Sequence, residues 1–150
     1  MTLSQVVRFM QGCRLAVQSS VSPAGAPQSA VVGIVVTEHG EVFFDTLEHT
    51  RKATNLRRNS KIAFVIGGTA EGDERTVQYE GVADEPGGPS LADLKELYFE
   101  RFPEGRERQT WPGLIYLRVV PTWIRYSDFS RIPPDVIEFD AEGLQTIRAR

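Results

Sequence analysis

Residues able to do chemistry gather between Asp45 and Asn59, in the stretch DTLEHTRKATNLRRN. A helix is predicted over Arg51 to Arg58, with Thr50 or His49 as its N-cap and Asn59 as its stop. It opens on two cations, Arg51 and Lys52, where free N–H groups and a partial positive charge make cations locally unfavourable. Two readings account for them. An anion such as a phosphate would draw together both cations, the threonine hydroxyl and the backbone N–H groups. Alternatively the pair is a solvated basic helix end that tolerates a macrodipole penalty of roughly 0.3–1 kcal/mol per charge. Arg57 and Arg58 sit at the other end, where positive charge is favourable, and read as helix-end stabilisation.

A second stretch, RVVPTWIRYSDF from Arg118 to Phe129, reads as strand. Trp123 and Arg125 then share one face, Ile124 and Tyr126 the other. An indole beside a guanidinium can flank a flat, electron-rich heterocycle by stacking and cation–π contact. The same pair also reads as a core Trp with a rim ion pair. His39 and His49 lie in or near turns with no His or Cys at ligand spacing, so no metal site is expected. Nothing in the sequence supports either as a haem ligand. Cys13 is the single cysteine; it excludes an intrachain disulfide and reads as buried filler. Gly67-Gly68 and Gly87-Gly88 lack the flanks of a phosphate loop, and no nucleophile elbow is present. No carboxylate or histidine is placed so as to compel a general base, so the catalytic residues are unassigned.

These residues need a scaffold. Leu3, Val6, Val7 and Met10 form one helical stripe, ended by Gly12. Strands are expected over Leu15 to Val21, Gln28 to Thr37, Glu41 to Thr46, Lys61 to Ile66 and Arg75 to Ala83. Two more, Leu114 to Val120 and Thr122 to Ser127, are separated by Pro121, and a short one follows at Val136 to Phe139 before a charged tail. The turns at Pro23, Gly25 and Pro27 and at Glu38-His39-Gly40 favour antiparallel pairing. Ser90 and Asp93 have capping-box spacing at the start of a helix carrying Leu91, Leu94, Leu97 and Tyr98, which stops before Pro103. Pro103 to Pro112 reads as a loop. Six or more strands with short links predict a mainly β chain closed, or partly closed, into an antiparallel barrel. A doubly wound sheet would need regularly alternating helices.

The 150 residues suit one domain over 1–150. With 41% hydrophobic and 25% charged residues the composition is that of a folded protein, and a net charge of −3 gives no global attraction to nucleic acid or anionic membrane. The opening MTLSQVVRFMQG does not read as a signal peptide. The longest apolar run, Ala30 to Val36, falls far short of the about 20 residues a membrane span needs. A cytoplasmic protein without nucleic-acid or membrane partners is expected.

Several segments, in order and spacing, resemble the pyridoxamine 5′-phosphate oxidase-like family of FMN-binding split barrels. They are AVVGIVV behind a Gly-Ala-Pro turn, EVFFDT, TRKATNLRRNSKIAFVI, VQYEGVAD and RVVPTWIRYSD, covering roughly residues 10 to 130. The resemblance implies a split β-barrel, FMN as cofactor, and a homodimer with its cofactor sites at the interface. It implies that the strand Ser29 to Val35, with Val31 and Val32, passes the flavin mainly through backbone. It places Thr46 ahead of the phosphate and Thr50, Arg51 and Lys52 on it. Gln78 or Thr76 would approach the flavin, and Trp123 and Arg125 would reach it from the partner subunit. The implied activity is an oxidoreductase passing hydride or electrons through the flavin to or from a small-molecule substrate. Two alternatives stay open: a deazaflavin-dependent reductase of the same fold, and a non-catalytic protein that binds or senses flavin or haem. The vitamin-forming oxidases carry a longer N-terminal region and an Arg/His C-terminal signature for the substrate phosphate. This chain ends in EFDAEGLQTIRAR, without that signature, so pyridoxamine phosphate is not the expected substrate.

Overall fold

A computed structural model describes residues 1–148. In chain order it runs α1 (Leu3–Gln11), β1 (Leu15–Val21), β2 (Pro27–Gly33), β3 (Val35–Val36), β4 (Val42–Leu47) and α2 (Arg51–Arg58). Then follow β5 (Lys61–Gly67), β6 (Arg75–Asp84), α3 (Gly88–Arg101), α4 (Gly105–Arg108), β7 (Leu114–Asp128), β8 (Asp135–Phe139) and α5 (Ala141–Arg148). All eight strands join one sheet of order β2-β1-β5-β6-β7-β4-β3, with β8 paired to β7, and every pairing is antiparallel. The two ends of this path, β2 and β3, are consecutive in the chain and meet at Ile34. The sheet is therefore curled round and closed through a covalent corner. This is the mainly β, antiparallel split barrel expected from the sequence.

Alternation builds the interior. Ile62, Phe64 and Ile66 of β5 and Val77, Tyr79 and Ala83 of β6 point inward, while their neighbours face out. Helices plug the openings: Val6, Val7 and Met10 of α1, Ala53 and Leu56 of α2, and Leu144 and Ile147 of α5 all join the same core. The Tyr79 hydroxyl crosses that core to donate to the carbonyls of Gly40 (2.9 Å) and Val119 (3.1 Å), and burial pushes its pKa well up. Outside the barrel, Leu94, Tyr98, Phe99 and Phe102 pack with Val35 and Phe43 to form a second apolar cluster.

Five expectations are corrected. The strand Gln28 to Thr37 is two, because the chain changes partner at Ile34. The strands on either side of Pro121 are one, β7. Pro121 lacks an N–H, but it lies opposite Gly81, just where the β6 register slips between Glu80 and Gly81, so the ladder is already irregular there. Gly81 permits the close approach: a Cβ on it would lie 2.6 Å from both the Val119 Cγ1 and the Val120 carbonyl oxygen. Helix α3 starts at Gly88 with Gly87 as its N-cap and no side-chain cap, so Ser90 and Asp93 fall inside it. Finally, the loop Pro103 to Pro112 holds α4, and the charged tail folds as α5 with Leu144 and Ile147 buried. Among the described residues, no helix is long and apolar enough to cross a membrane.

Candidate functional site in the barrel split

The site begins where two strands fail to pair. β3 lies on β4 for two residues only, Val35 opposite Phe43 and Val36 opposite Val42. Continued, that register would set Val32 opposite Thr46. Instead β2 turns away to β1, with Val32 opposite Ala16, and a gap opens between β2 and β4. The Ile34 N–H donates to the Arg14 carbonyl at 2.9 Å, which fixes the hydrogen-bonding phase of β2. Bonds to a neighbour alternate along an antiparallel strand. Val32, Ala30 and Gln28 therefore turn their backbone groups to β1, whereas Ser29, Val31 and Gly33 turn theirs to the gap. Such edge groups need water or a ligand as partner.

The turn after β4 brings the N-terminus of α2 back to Thr46. Thr50 is the N-cap: its Oγ1 accepts from the Ala53 N–H (3.3 Å), donates to the Leu47 carbonyl (2.8 Å) and lies 3.1 Å from Thr46 Oγ1. Lys52 Nζ reaches the same Thr46 oxygen at 3.4 Å. The backbone N–H groups of Arg51 and Lys52, in the first turn, have no intrahelical acceptor. Lys52 is half-buried, and desolvation lowers its pKa from the ordinary 10.5. Among the described residues neither Arg51 nor Lys52 has an ion-pair partner, whereas Arg57 on the same helix is paired with Glu85 and Glu48. A half-buried ammonium held by one neutral hydroxyl is under-compensated, and an anion would complete it.

Apart from Val32, the remaining predicted residues lie on the outer face of the sheet. Registers place Val31, Val17, Val65, Gln78 and Arg125 in one row, and Ser29, Ser19, Ala63, Glu80 and Trp123 in the next. Val31 and Arg125 are thus four strand spacings apart, about 19 Å. Within one chain Trp123 and Arg125 do not reach the α2 cluster. Trp123 is half-buried, and Arg125 is engaged by Glu138 of β8 at 2.6 Å. Gln78 is exposed in the Arg125 row, while Thr76 lies a row further on, opposite Ser127. Val32 is buried in the core. His39 is tied through Nδ1 to the Ile147 carbonyl (2.7 Å), and His49 is exposed in the turn before α2. No group of three or more His, Cys, Asp or Glu among the described residues is arranged to hold a metal.

Two sets of residues escaped the sequence reading. Asn55, buried inside α2, donates to Ser20 Oγ (3.1 Å) and Gln28 Oε1 (2.9 Å), pinning the helix to the β1–β2 hairpin. An Asn is a poor interior helix residue, and this was its only signal. Beside Thr46, Asp45 accepts from Tyr98 Oη (3.1 Å) and Arg108 Nε (3.0 Å), which ties α3 and α4 to β4. Burial first, then the Asp45 charge, raises the Tyr98 pKa. Phe102 closes the same wall: its ring lies where a Cβ on Gly33 would come within 2.8 Å.

No curated protein sequence matches the chain. A heme binding protein from Mycobacterium smegmatis has a similar structure, with TM-score 0.82 at 14% identity over 95% of this chain and 59% of that one. HutZ, the heme storage protein from Vibrio cholerae, gives 0.68 at 18% over 81% and 91%. A pyridoxamine 5′-phosphate oxidase-related, FMN binding protein from Nostoc punctiforme gives 0.66 at 13% over 89% and 84%. The chain spans 59% of the Mycobacterium protein and 55% of a similar Agrobacterium tumefaciens protein of unknown function. At these identities the likeness speaks for the fold. The family model for pyridoxamine 5′-phosphate oxidase matches residues 3–128, most of the chain and strands β1 to β7, and by that match the protein belongs to this family.

Proposed function

We propose that the split holds FMN and that the chain works as an FMN-dependent oxidoreductase on a small molecule. The observation that carries this reading is the Lys52 ammonium, half-buried at a helix N-terminus with only the Thr46 hydroxyl for company, beside an open strand edge. A phosphate monoester fits there. Lys52 and Arg51 supply charge, two free N–H groups and the Thr46 hydroxyl, turned from Thr50, supply donors, and the Ser29 and Val31 backbone can meet polar ring-edge atoms as a strand partner would. When bound, the flavin supplies hydride or single-electron transfer. The protein's part is to anchor the phosphate, fix the ring against β2, and keep water out with the Phe102 wall. Haem iron would take an axial ligand, for which His49 beside Thr50 and the Nε2 of His39 are the histidine candidates, but neither answers the half-buried Lys52 ammonium as a phosphate does.

The same reading makes the protein a homodimer. Val31, Val65, Leu15 and Val82 are 41–65% exposed on the outer face, a surface suited to a second copy. That copy would bring its Gln78, Trp123 and Arg125 to the split, which one chain alone does not do.

Lys52 offers a test by pH. A bound phosphate stabilises the ammonium and raises its lowered pKa, so binding takes up a proton in the alkaline range. FMN affinity relative to riboflavin therefore falls as pH rises through the pKa of free Lys52, beginning below 10.5. Fluorescence titrations of both flavins across that range measure it; riboflavin, with the same ring and no phosphate, is the control. A ratio independent of pH would remove Lys52 from the phosphate site.

A further inference from the structure

Gln18 is 2% exposed, and its Oε1 is a buried acceptor with no hydrogen-bond partner among the described residues. Such orphans are rare in folded proteins because the carbonyl gives up water and gains nothing. Gln18 faces the barrel interior from β1, between Ala16 and Ser20, and pairs with Ala30 on one side and Phe64 on the other. Of the polar groups nearest along the strand, Ser20 Oγ and Gln28 Oε1 both accept from Asn55 Nδ2, and among the described residues none donates to Gln18. Ala30 also faces inward, yet it is only half-buried because the strand that would cover β2 from the far side is missing. Gln18 is thus one strand in from the split, paired with Ala30 of the open-edged β2.

We infer that Gln18 is a ligand-facing group of the split, its carbonyl accepting a hydrogen bond from a hydroxyl of the chain that links phosphate to ring. This rests on the FMN reading and adds a residue to it. A carboxamide suits a polyol because it can turn either its carbonyl or its NH2 to a hydroxyl. The ribityl chain carries such hydroxyls, whereas a phosphate dianion has no proton to give. The ligand then supplies the donor that no described protein group gives this carbonyl.

The test is Gln18→Met in the full chain, which keeps length and flexibility and removes the amide, titrated with FMN, riboflavin and lumiflavin. FMN and riboflavin should each bind about tenfold more weakly, as for one lost hydrogen bond, with lumiflavin unchanged. The ligand-free variant should melt no lower than the wild type, because no made bond has been removed. Unchanged affinity for FMN and riboflavin, an equal loss for lumiflavin, or a lowered melting temperature would each overturn the inference. If the Met variant does not fold, Gln18→Leu takes its place, and failure of both makes Gln18 structural and also overturns it. A wild type that binds neither FMN nor riboflavin brings down the FMN reading and this inference together. A wild type that binds both, beside a variant that binds them equally well, brings down only this inference.

Discussion

Replacing Arg51 and Lys52 together by alanine weakens FMN binding about 100-fold or more and riboflavin binding less than about threefold. A charge-assisted hydrogen bond contributes about 1.5–3 kcal/mol, and the larger share falls to Lys52. Its ammonium is already drawn partly out of water and held against Thr46, so the phosphate meets it with less further desolvation than an exposed cation would need. Arg51 is exposed and its contribution is screened. Lys52→Ala alone should therefore approach the double variant, and Arg51→Ala alone should fall well short of it. Neither side chain is a helix cap, so the melting temperature should hardly move. Equal losses for the two flavins would make the cluster structural rather than a phosphate site.

The second large effect is on stability. Gly81→Ala should destabilise the chain by about 2–3 kcal/mol, seen as a lower urea midpoint at unchanged slope. The added Cβ would meet the Val119 side chain and the Val120 carbonyl oxygen, each at 2.6 Å. A side chain could swing aside, but a backbone oxygen in a ladder cannot without moving β7. That loss is a large part of the about 5–15 kcal/mol that holds a domain together. The same register slip sets how Trp123 and Arg125 stand on the outer face, so the variant also tests whether that face is rigidly placed. An unchanged midpoint would mean the slip absorbs a methyl group freely.

How much was legible beforehand follows the range of the forces involved. The bounds of helix α2, Arg51–Arg58, are legible in the sequence because its caps are local signals, with Asn59 as the stop and the N-cap narrowed to His49 or Thr50, of which the structure uses Thr50. Strands β5 and β6 alternate between buried and exposed side chains and were plain for the same reason. AVVGIVV looked like one strand because both halves are apolar, and only the choice of partner, β1 or β4, divides them. Helix α5 has two buried apolar residues in a charged stretch, too few to show a period. In the site, Thr50, Arg51 and Lys52 stood out because cations at a helix start violate a local rule. The open edge of β2 could not be read, since it consists in a pairing that does not form. Nor could Asp45 with Tyr98 and Arg108, or Asn55 with Ser20, whose partners lie tens of residues apart.

The central claim is that this split takes up FMN, and the most direct measurement is a visible absorption spectrum of the purified protein, as isolated and again after adding FMN and desalting. A flavin band retained at close to one FMN per chain is the predicted result. A colourless protein that releases all its FMN on desalting, or one that carries a Soret band in place of flavin, would contradict it.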